Sequence, residues 1–222
     1  MTNKLAQILA LAVVACGPKK PVEEAAAPAE APAAEEAAPA AEEAPAAENA
    51  FEATDLVGTW VGPCFASPSG DGSFNQLTFR MTETEWDLDY VAHGDENCTA
   101  KFLTVNIKGP YELGEASSVA EGAREGTFSF ASKTVTGHMD AALGVINGAC
   151  GVTDTAVDTP LDLASGCAGL GAYPIAECAA DNDIVMVKDN NLHFGARPAD
   201  NNMCSPDKRP TSFEGGAVVT KQ

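Results

Sequence analysis

The chain has 222 residues, 13 basic against 32 acidic, for a net charge of −19. Setting aside the first 50 residues leaves 10 basic and 24 acidic side chains, a net of −14. With no basic stripe to neutralise phosphates or draw the chain to an anionic bilayer, this argues against nucleic-acid binding, and an acidic surface that is merely solvated implies no cationic partner.

At the N-terminus, Lys4 precedes an apolar run over residues 5–15 that only Gln7 interrupts. A membrane-spanning helix needs roughly 20 apolar residues, so a run this short suits the core of a cleaved export signal better. It ends in Val13-Val14-Ala15-Cys16, which resembles the lipobox of bacterial lipoproteins. In such a motif small residues fit the signal peptidase and the cysteine thiol receives diacylglycerol. Residues 1–15 therefore read as a lipoprotein signal peptide, and Cys16 as the lipidated residue that anchors the chain to a membrane. Two or more acyl chains hold a protein stably where one does so only marginally. Gly17, standing where an Asp would favour retention at the inner membrane, points to the outer membrane.

Residues 16–50 are dominated by Ala, Pro and Glu. Pro28, Pro32, Pro39 and Pro45 interrupt any longer helix, the glutamates repel one another, and no aromatic residue occurs before Phe51. The segment reads as a disordered spacer, able at about 3 Å per residue to hold a domain some tens of ångströms from the lipid surface.

From residue 51 to 222 the pattern is mostly period two between turn residues, which predicts an all-β domain. The clearest strand is 84–91, where Trp86, Leu88 and Tyr90 alternate with Glu85, Asp87 and Asp89. Further strands are predicted at 56–61, 76–81, 101–108, 127–131, 134–139, 183–188 and 192–196, with Asp189-Asn190-Asn191 as the turn joining the last two. One short helix is predicted over 140–146, with Asp140 as its N-cap and Gly148 beyond its end. Residues 151–180, rich in Gly, Ala and Cys, read as an irregular excursion.

Strands with one apolar face must bury it by closing into a barrel or packing as a sandwich. Leu77, Phe79 and Met81, then Trp86, Leu88 and Tyr90, then Leu103, Val105 and Ile107 supply inward faces on three successive strands and are the candidate wall of an apolar pocket. The other reading is a core filled by Trp60, Phe79, Trp86, Phe128, Phe130 and Phe194. Periodicity alone favours that filled core, because most aromatic positions are packing positions. Six further cysteines, at 64, 98, 150, 167, 178 and 204, form an even set in an exported domain and read as disulfides, with their pairing left open. No two have CxxC spacing and His93, His138 and His193 are scattered, so neither a metal site nor a cofactor is expected.

The domain also carries a series of strings in a recognisable order. They are Leu56-Val57-Gly58-Thr59-Trp60 with Cys64, Gly94-Asp95-Glu96-Asn97-Cys98, Val105-Asn106-Ile107-Lys108-Gly109, and Gly122-Ala123-Arg124-Glu125-Gly126-Thr127-Phe128. They continue with Val135-Thr136-Gly137-His138-Met139-Asp140, Asn147-Gly148-Ala149-Cys150-Gly151, Gly166-Cys167, Phe194-Gly195-Ala196-Arg197-Pro198, and Ser205-Pro206-Asp207-Lys208-Arg209-Pro210-Thr211-Ser212-Phe213. Together they resemble a single domain of the adenomatosis polyposis coli down-regulated protein family, whose animal members are secreted or membrane-tethered Wnt antagonists. The resemblance implies a lipocalin-like half-barrel or barrel, bridges from Cys64 to Cys98 and from Cys150 to Cys167, and a large apolar pocket able to take a lipid acyl chain. Cys178 and Cys204 have no family counterparts and are left to pair with each other. Animal members carry two such domains and this chain has one. Either a single barrel suffices for the pocket, or two copies associate as a homodimer, or the fold is kept without the ligand.

An enzyme is not expected, as the chain has no GxSxG elbow, P-loop, HExxH motif or dinucleotide fingerprint. His93 is expected beside a turn and exposed, His138 as a partner of the helix start, and His193 facing water. Asp71, Asp181 and Asp183 are expected in turns, and Arg197, Asp200, Asp207 and Arg209 as hydrogen-bonding groups that hold the last strand and tail. Two functions follow: a lipid-binding carrier or sensor with a continuous apolar cavity, or an envelope interaction protein with a filled barrel.

Overall fold

The computed structural model of the protein describes residues 51–222. The predicted signal peptide, Cys16 and the spacer lie outside the described residues. In chain order the elements are α1 (Ala53–Leu56), β1 (Gly58–Val61), β2 (Phe65–Ala66), β3 (Phe74–Met81), β4 (Glu85–His93), β5 (Lys101–Ala116), β6 (Arg124–Ser129), β7 (Ser132–Gly137), α2 (Asp140–Cys150), β8 (Leu161–Asp162), β9 (Ala180–Lys188), β10 (Asn191–Phe194) and β11 (Val218–Lys221).

Eight of these strands close on themselves, every pair antiparallel, in the ring β1-β3-β4-β5-β6-β9-β10-β11 and back to β1. The domain is thus a closed barrel and not a half-barrel, and closure leaves no long edge strand unpaired. The strand that completes it, β11, has no counterpart among the predicted strands. Its four residues pair Trp60 with Lys221 on one side and Leu192 with Val219 on the other. The predicted strands at 76–81 and 101–108 fall inside β3 and β5 and the one at 84–91 starts one residue before β4, whereas β6 and β7 lie two or three residues earlier than predicted.

The length of β5 shapes the barrel. Its first half pairs with β4 on one edge and β7 on the other, and its second half leaves β7 and pairs with β6. Gly109 sits at the changeover, where any side-chain carbon would collide with the carbonyl oxygen of Ser129. Trp86 is opposite Gly109 in register and its indole Nε1 donates to that same Ser129 carbonyl at 3.0 Å, so the empty position lets the backbone and the indole meet. The β9–β10 hairpin turns through Asp189 and Asn190, both at positive φ (52° and 62°), a conformation in which Asp and Asn are enriched.

One end of the barrel is plugged. Phe51 and Leu56 on the α1 segment pack with Trp60, Met81, Leu192 and Val219 in the main core. The indole of Trp60 donates to the Leu56 carbonyl at 2.7 Å, and Lys221 Nζ donates to the Asp55 carbonyl at 3.1 Å. Helix α2 lies over β7, where Ala142 and Ile146 bury against Leu103, Val135 and Leu163, on the same face of the sheet as the inward row of β5. It runs past Gly148 to Cys150 and ends at Gly151, whose φ of 68° terminates it, so the helix is longer than predicted. Met139 and not Asp140 is its N-cap. Asp140 lies in the first turn, where its charge complements the helix dipole.

Three disulfides staple the excursions. Cys64–Cys98 ties the β1–β2 segment to the β4–β5 loop, Cys150–Cys167 ties the end of α2 to the irregular stretch, and Cys178–Cys204 ties the start of β9 to the tail after β10.

Candidate functional site

At the end opposite the plug, the barrel holds a cavity of about 890 Å³. The register of β3, β4 and β5 builds its wall. Leu77 lies beside Tyr90 and Tyr90 beside Val105, while Phe79 lies beside Leu88 and Leu88 beside Ile107. These two rows, with Leu103, make a continuous apolar surface across three strands, because alternation puts every second side chain on the lumen. Trp86 lies below them. Of the nine residues proposed from sequence as the pocket wall, all but Met81 line the cavity. Met81, one step further along β3, is buried in the packed end with Trp60 and Phe51. The β3 strand crosses from cavity to plug between residues 79 and 81, which alternation cannot show.

The floor is aromatic. Phe79 stacks on Phe194 with centroids 4.5 Å apart, Phe194 lies 5.8 Å from Phe128, and Phe128 meets Trp86 edge-on at 5.4 Å. The two sequence readings, filled core and open pocket, therefore describe two halves of one barrel. Phe79, Trp86, Phe128 and Phe194 belong to both, while Trp60 lies wholly in the plug and Phe130 packs against Trp86 beneath the Nζ of Lys133.

A polar sector, unexpected from the strand pattern, interrupts the apolar wall. Asp181 and Asp183 are not in turns. They occupy β9 opposite Phe128 and Gly126 of β6, and both line the cavity together with Arg197 and Asn201 from the segment after β10. Arg197 donates from Nη2 to Asp181 Oδ2 at 2.7 Å and from Nε to Asn201 Oδ1 at 2.6 Å. Asp183 is 4% exposed, and its Oδ1 accepts the backbone N–H groups of Ile184 at 2.7 Å and Gly195 at 2.9 Å. Burial raises its carboxyl to about 7; the two backbone donors and Arg197 pull the other way, and Asp181 adds to the rise. The signal that could have found these residues is the period-two series Asp181, Asp183, Val185, Val187, which runs two carboxylates along one lumen-facing row.

The other polar candidates scatter. Asp71 caps its own turn, its Oδ1 accepting from Ser73 N and Oγ. Asp87 and Asp89 lie on the outer face of β4 and pair with Arg80, Lys108 and Asn106, while Glu85 is exposed. Arg209 pairs with Glu125 at 3.1 Å, apart from Arg197, Asp200 and Asp207. His93 is not exposed: it is 2% accessible, neither ring nitrogen has a partner among the described residues, and burial holds its imidazole below the ordinary value. His138 does not serve the helix start. Its Nε2 meets Thr104 Oγ1 at 2.8 Å and its Nδ1 meets Asp158 Oδ1 at 2.7 Å, which pins the loop after α2 to the outside of β5. The hydroxyl–imidazole–carboxylate order mimics a hydrolase relay, but Thr104 alternates with the cavity residues Leu103 and Val105 and so lies on the opposite face of the sheet. His193 is half-buried, edge-on to Phe213.

No group of three His, Cys, Asp or Glu side chains converges as a metal site among the described residues. Within the same residues no helix is long and apolar enough to cross a membrane. Set against protein-family models and against curated proteins, the chain matches none.

Proposed function

We propose that the protein is a membrane-anchored lipoprotein whose barrel takes up the apolar chain of a lipid or a similar long ligand. One observation carries this reading: a single closed barrel has a cavity of about 890 Å³ with a continuous apolar wall on β3, β4 and β5. Small-molecule sites typically span roughly 300–1,000 Å³, and barrels of about eight strands are wide enough to hold one small ligand. One copy of the domain already has the cavity, so a homodimer is not required to make it. Burying an acyl chain contributes about 0.8 kcal/mol per methylene. A sixteen-carbon chain then offsets several kcal/mol of association cost and still reaches about micromolar affinity.

Binding fits the site better than catalysis. Among the described residues that line the cavity there is no Ser, Thr, Cys, His or Lys. The lipobox-like Val13-Val14-Ala15-Cys16 supports lipidation at Cys16 and an outer-membrane location, with the Ala/Pro/Glu stretch as tether. The ordered strings from Leu56 to Phe213 support kinship with the adenomatosis polyposis coli down-regulated family.

The test is native mass spectrometry of the mature chain from Gly17 onward, exported to an oxidising compartment and purified without detergent. Titration of the delipidated protein with a fluorescent fatty acid and with N-phenylnaphthylamine follows. A co-purifying lipid mass, or saturable binding in the micromolar range, is expected. Bare protein with no saturable binding of either probe would replace the carrier reading with that of an interaction protein displaying its loops.

A further inference from the structure

A cavity built only to hold hydrocarbon would have no reason to keep carboxylates on its wall. Here the lumen-facing row of β9 carries two, and they differ. Asp181 is answered by Arg197 at 2.7 Å. Among the described residues Asp183 uses only Oδ1, for Ile184 and Gly195. Its Oδ2 has no donor among the described residues and is not one of their fully buried unpartnered atoms, and the side chain lines the cavity. A carboxylate 4% exposed, with one oxygen bare toward an apolar cavity, is costly unless something donates to it. The protein's nearest cation, Arg197, already serves Asp181 and Asn201.

Resting on the reading of the cavity as a lipid site, we propose that its ligand carries a hydrogen-bond-donating head group, an amine foremost and a hydroxyl next, which seats on Asp183 Oδ2 while the chain lies along Leu77, Leu88, Val105 and Ile107. The same arrangement selects against a free fatty acid. An ionised ligand carboxylate would add a third negative charge beside Asp183 and Asp181, while the cations nearby are already engaged, Arg197 by Asp181 and Asn201 and Lys133 by the Tyr173 carbonyl. An ammonium head instead donates to the one carboxylate oxygen that has no donor among the described residues.

The charged groups that bear on Asp183 are few. Its cross-strand neighbours are Gly126 on β6 and Gly195 beyond β10, which carry no charge. Glu125 and Arg209 pair with each other from the outer face. That leaves Asp181 and Arg197, with Lys133 close to both. Because burial keeps the Asp183 carboxyl near 7, amine binding strengthens as pH rises through neutrality.

The experiment is displacement of N-phenylnaphthylamine from the mature chain by dodecylamine, dodecanol and dodecanoate at pH 8, ligands that share a tail and differ in the head. Dodecylamine is expected to displace the probe at a concentration at least about tenfold below dodecanoate, the size of one charge-assisted hydrogen bond, with dodecanol between them. Asp183→Asn keeps the acceptor for Ile184 and Gly195 and replaces the bare oxygen with a donor, so it should erase the amine's advantage and leave dodecanol within about threefold. Glu85→Gln removes the same charge from the outer face and should leave the ranking unchanged. If the probe binds and dodecanoate equals or outdoes the amine in the unmodified protein, the head-group proposal fails and the lipid reading stands. If Asp183→Asn and Glu85→Gln shift the amine alike, the preference is bulk charge attraction and the proposal fails again. Should Asp183→Asn not fold, the ranking of the three heads on the unmodified protein decides when measured in high salt, which screens bulk charge attraction; a ranking lost there overturns the proposal. If the probe itself does not bind saturably, the lipid reading falls and the head-group proposal with it.

Discussion

Phe79 and Phe194 stack across the inside of the barrel, ring centroids 4.5 Å apart and planes inclined by 20°. They come from β3 and β10, which are separated by β1 and β11 in the sheet, so the contact spans the lumen and is not a neighbour contact along the wall. With Phe128 and Trp86 it forms the partition between a plugged half and an open half. Above it the inward positions have no partner from the opposite wall, and the cavity begins.

That partition makes the wall above it the place to test binding. Leu88→Asp puts an unpaired carboxylate in the middle of the cavity, between Phe79 and Ile107, and should weaken N-phenylnaphthylamine binding at least tenfold, by roughly 1–3 kcal/mol or more of desolvation. Glu85→Gln, exposed on the other face of the same strand, should bind as the unmodified chain does. Equal affinities for both variants would place the probe elsewhere on the molecule.

Asp183 imposes a pH dependence of definite sign. Its folded value is about 7 against 3.8 when unfolded, so between these limits the folded state holds a proton that the unfolded state has released. Stability contributed by the neutral form is present below pH 4 and is lost as pH rises to about 7, by roughly 4 kcal/mol in all. Asp183→Asn should flatten this fall and be more stable than the unmodified chain at pH 8. Urea denaturation midpoints across that range measure it, and parallel profiles for the two proteins would refute the assignment.

His93 acts in the opposite direction. Burial lowers its value below 6.5, so as pH falls through 6.5 the unfolded chain takes up a proton that the folded chain refuses, and stability drops. His93→Leu removes a ring with two unpartnered buried nitrogens and should remove this acid-side loss, with little or no cost at neutral pH. Comparing urea midpoints at neutral pH and near pH 5 checks it. A variant that loses stability on acidification as steeply as the parent would point to another group.

Replacing Cys178 and Cys204 with Ser should cost about 2–4 kcal/mol of stability, the usual effect of opening a loop of this size. The bridge spans 26 residues and joins the start of β9 to the tail that carries Arg197, so the variant should also lose affinity for cavity ligands. Equilibrium unfolding under non-reducing conditions measures the first effect and probe titration the second. An unchanged unfolding free energy would mean that the bridge adds nothing to the native state.

Cys16→Ser should abolish incorporation of a labelled fatty acid and leave uncleaved precursor, because serine offers no thiolate for alkylation. Undiminished label in the variant would overturn the lipoprotein proposal.

The all-β class, the three central strands with their inward faces, and the irregular stretch after α2 were legible because each rests on local pattern. Trp86, Leu88 and Tyr90 alternate with acids whatever the rest of the chain does. Tertiary structure decided the rest. The closing strand β11 is four residues long, too short for its β-branched Val218, Val219 and Thr220 to show a period, yet it finds paired partners on both edges once β1 and β10 are in place. Whether a lumen-facing side chain fills or lines the barrel depends on its height along the axis and on what reaches it from the opposite wall, so Phe79 lines the cavity while Met81, two residues on along the same face, does not. Asp183 is the sharpest case. A carboxylate in a polar stretch reads as solvated, and only the fold, which brings the backbone of Gly195 and the side chain of Arg197 to it, turned it into a buried group with one oxygen free for a ligand. Alternation along one strand tells which way a side chain points; the dielectric it meets there is set by chain segments far away in sequence.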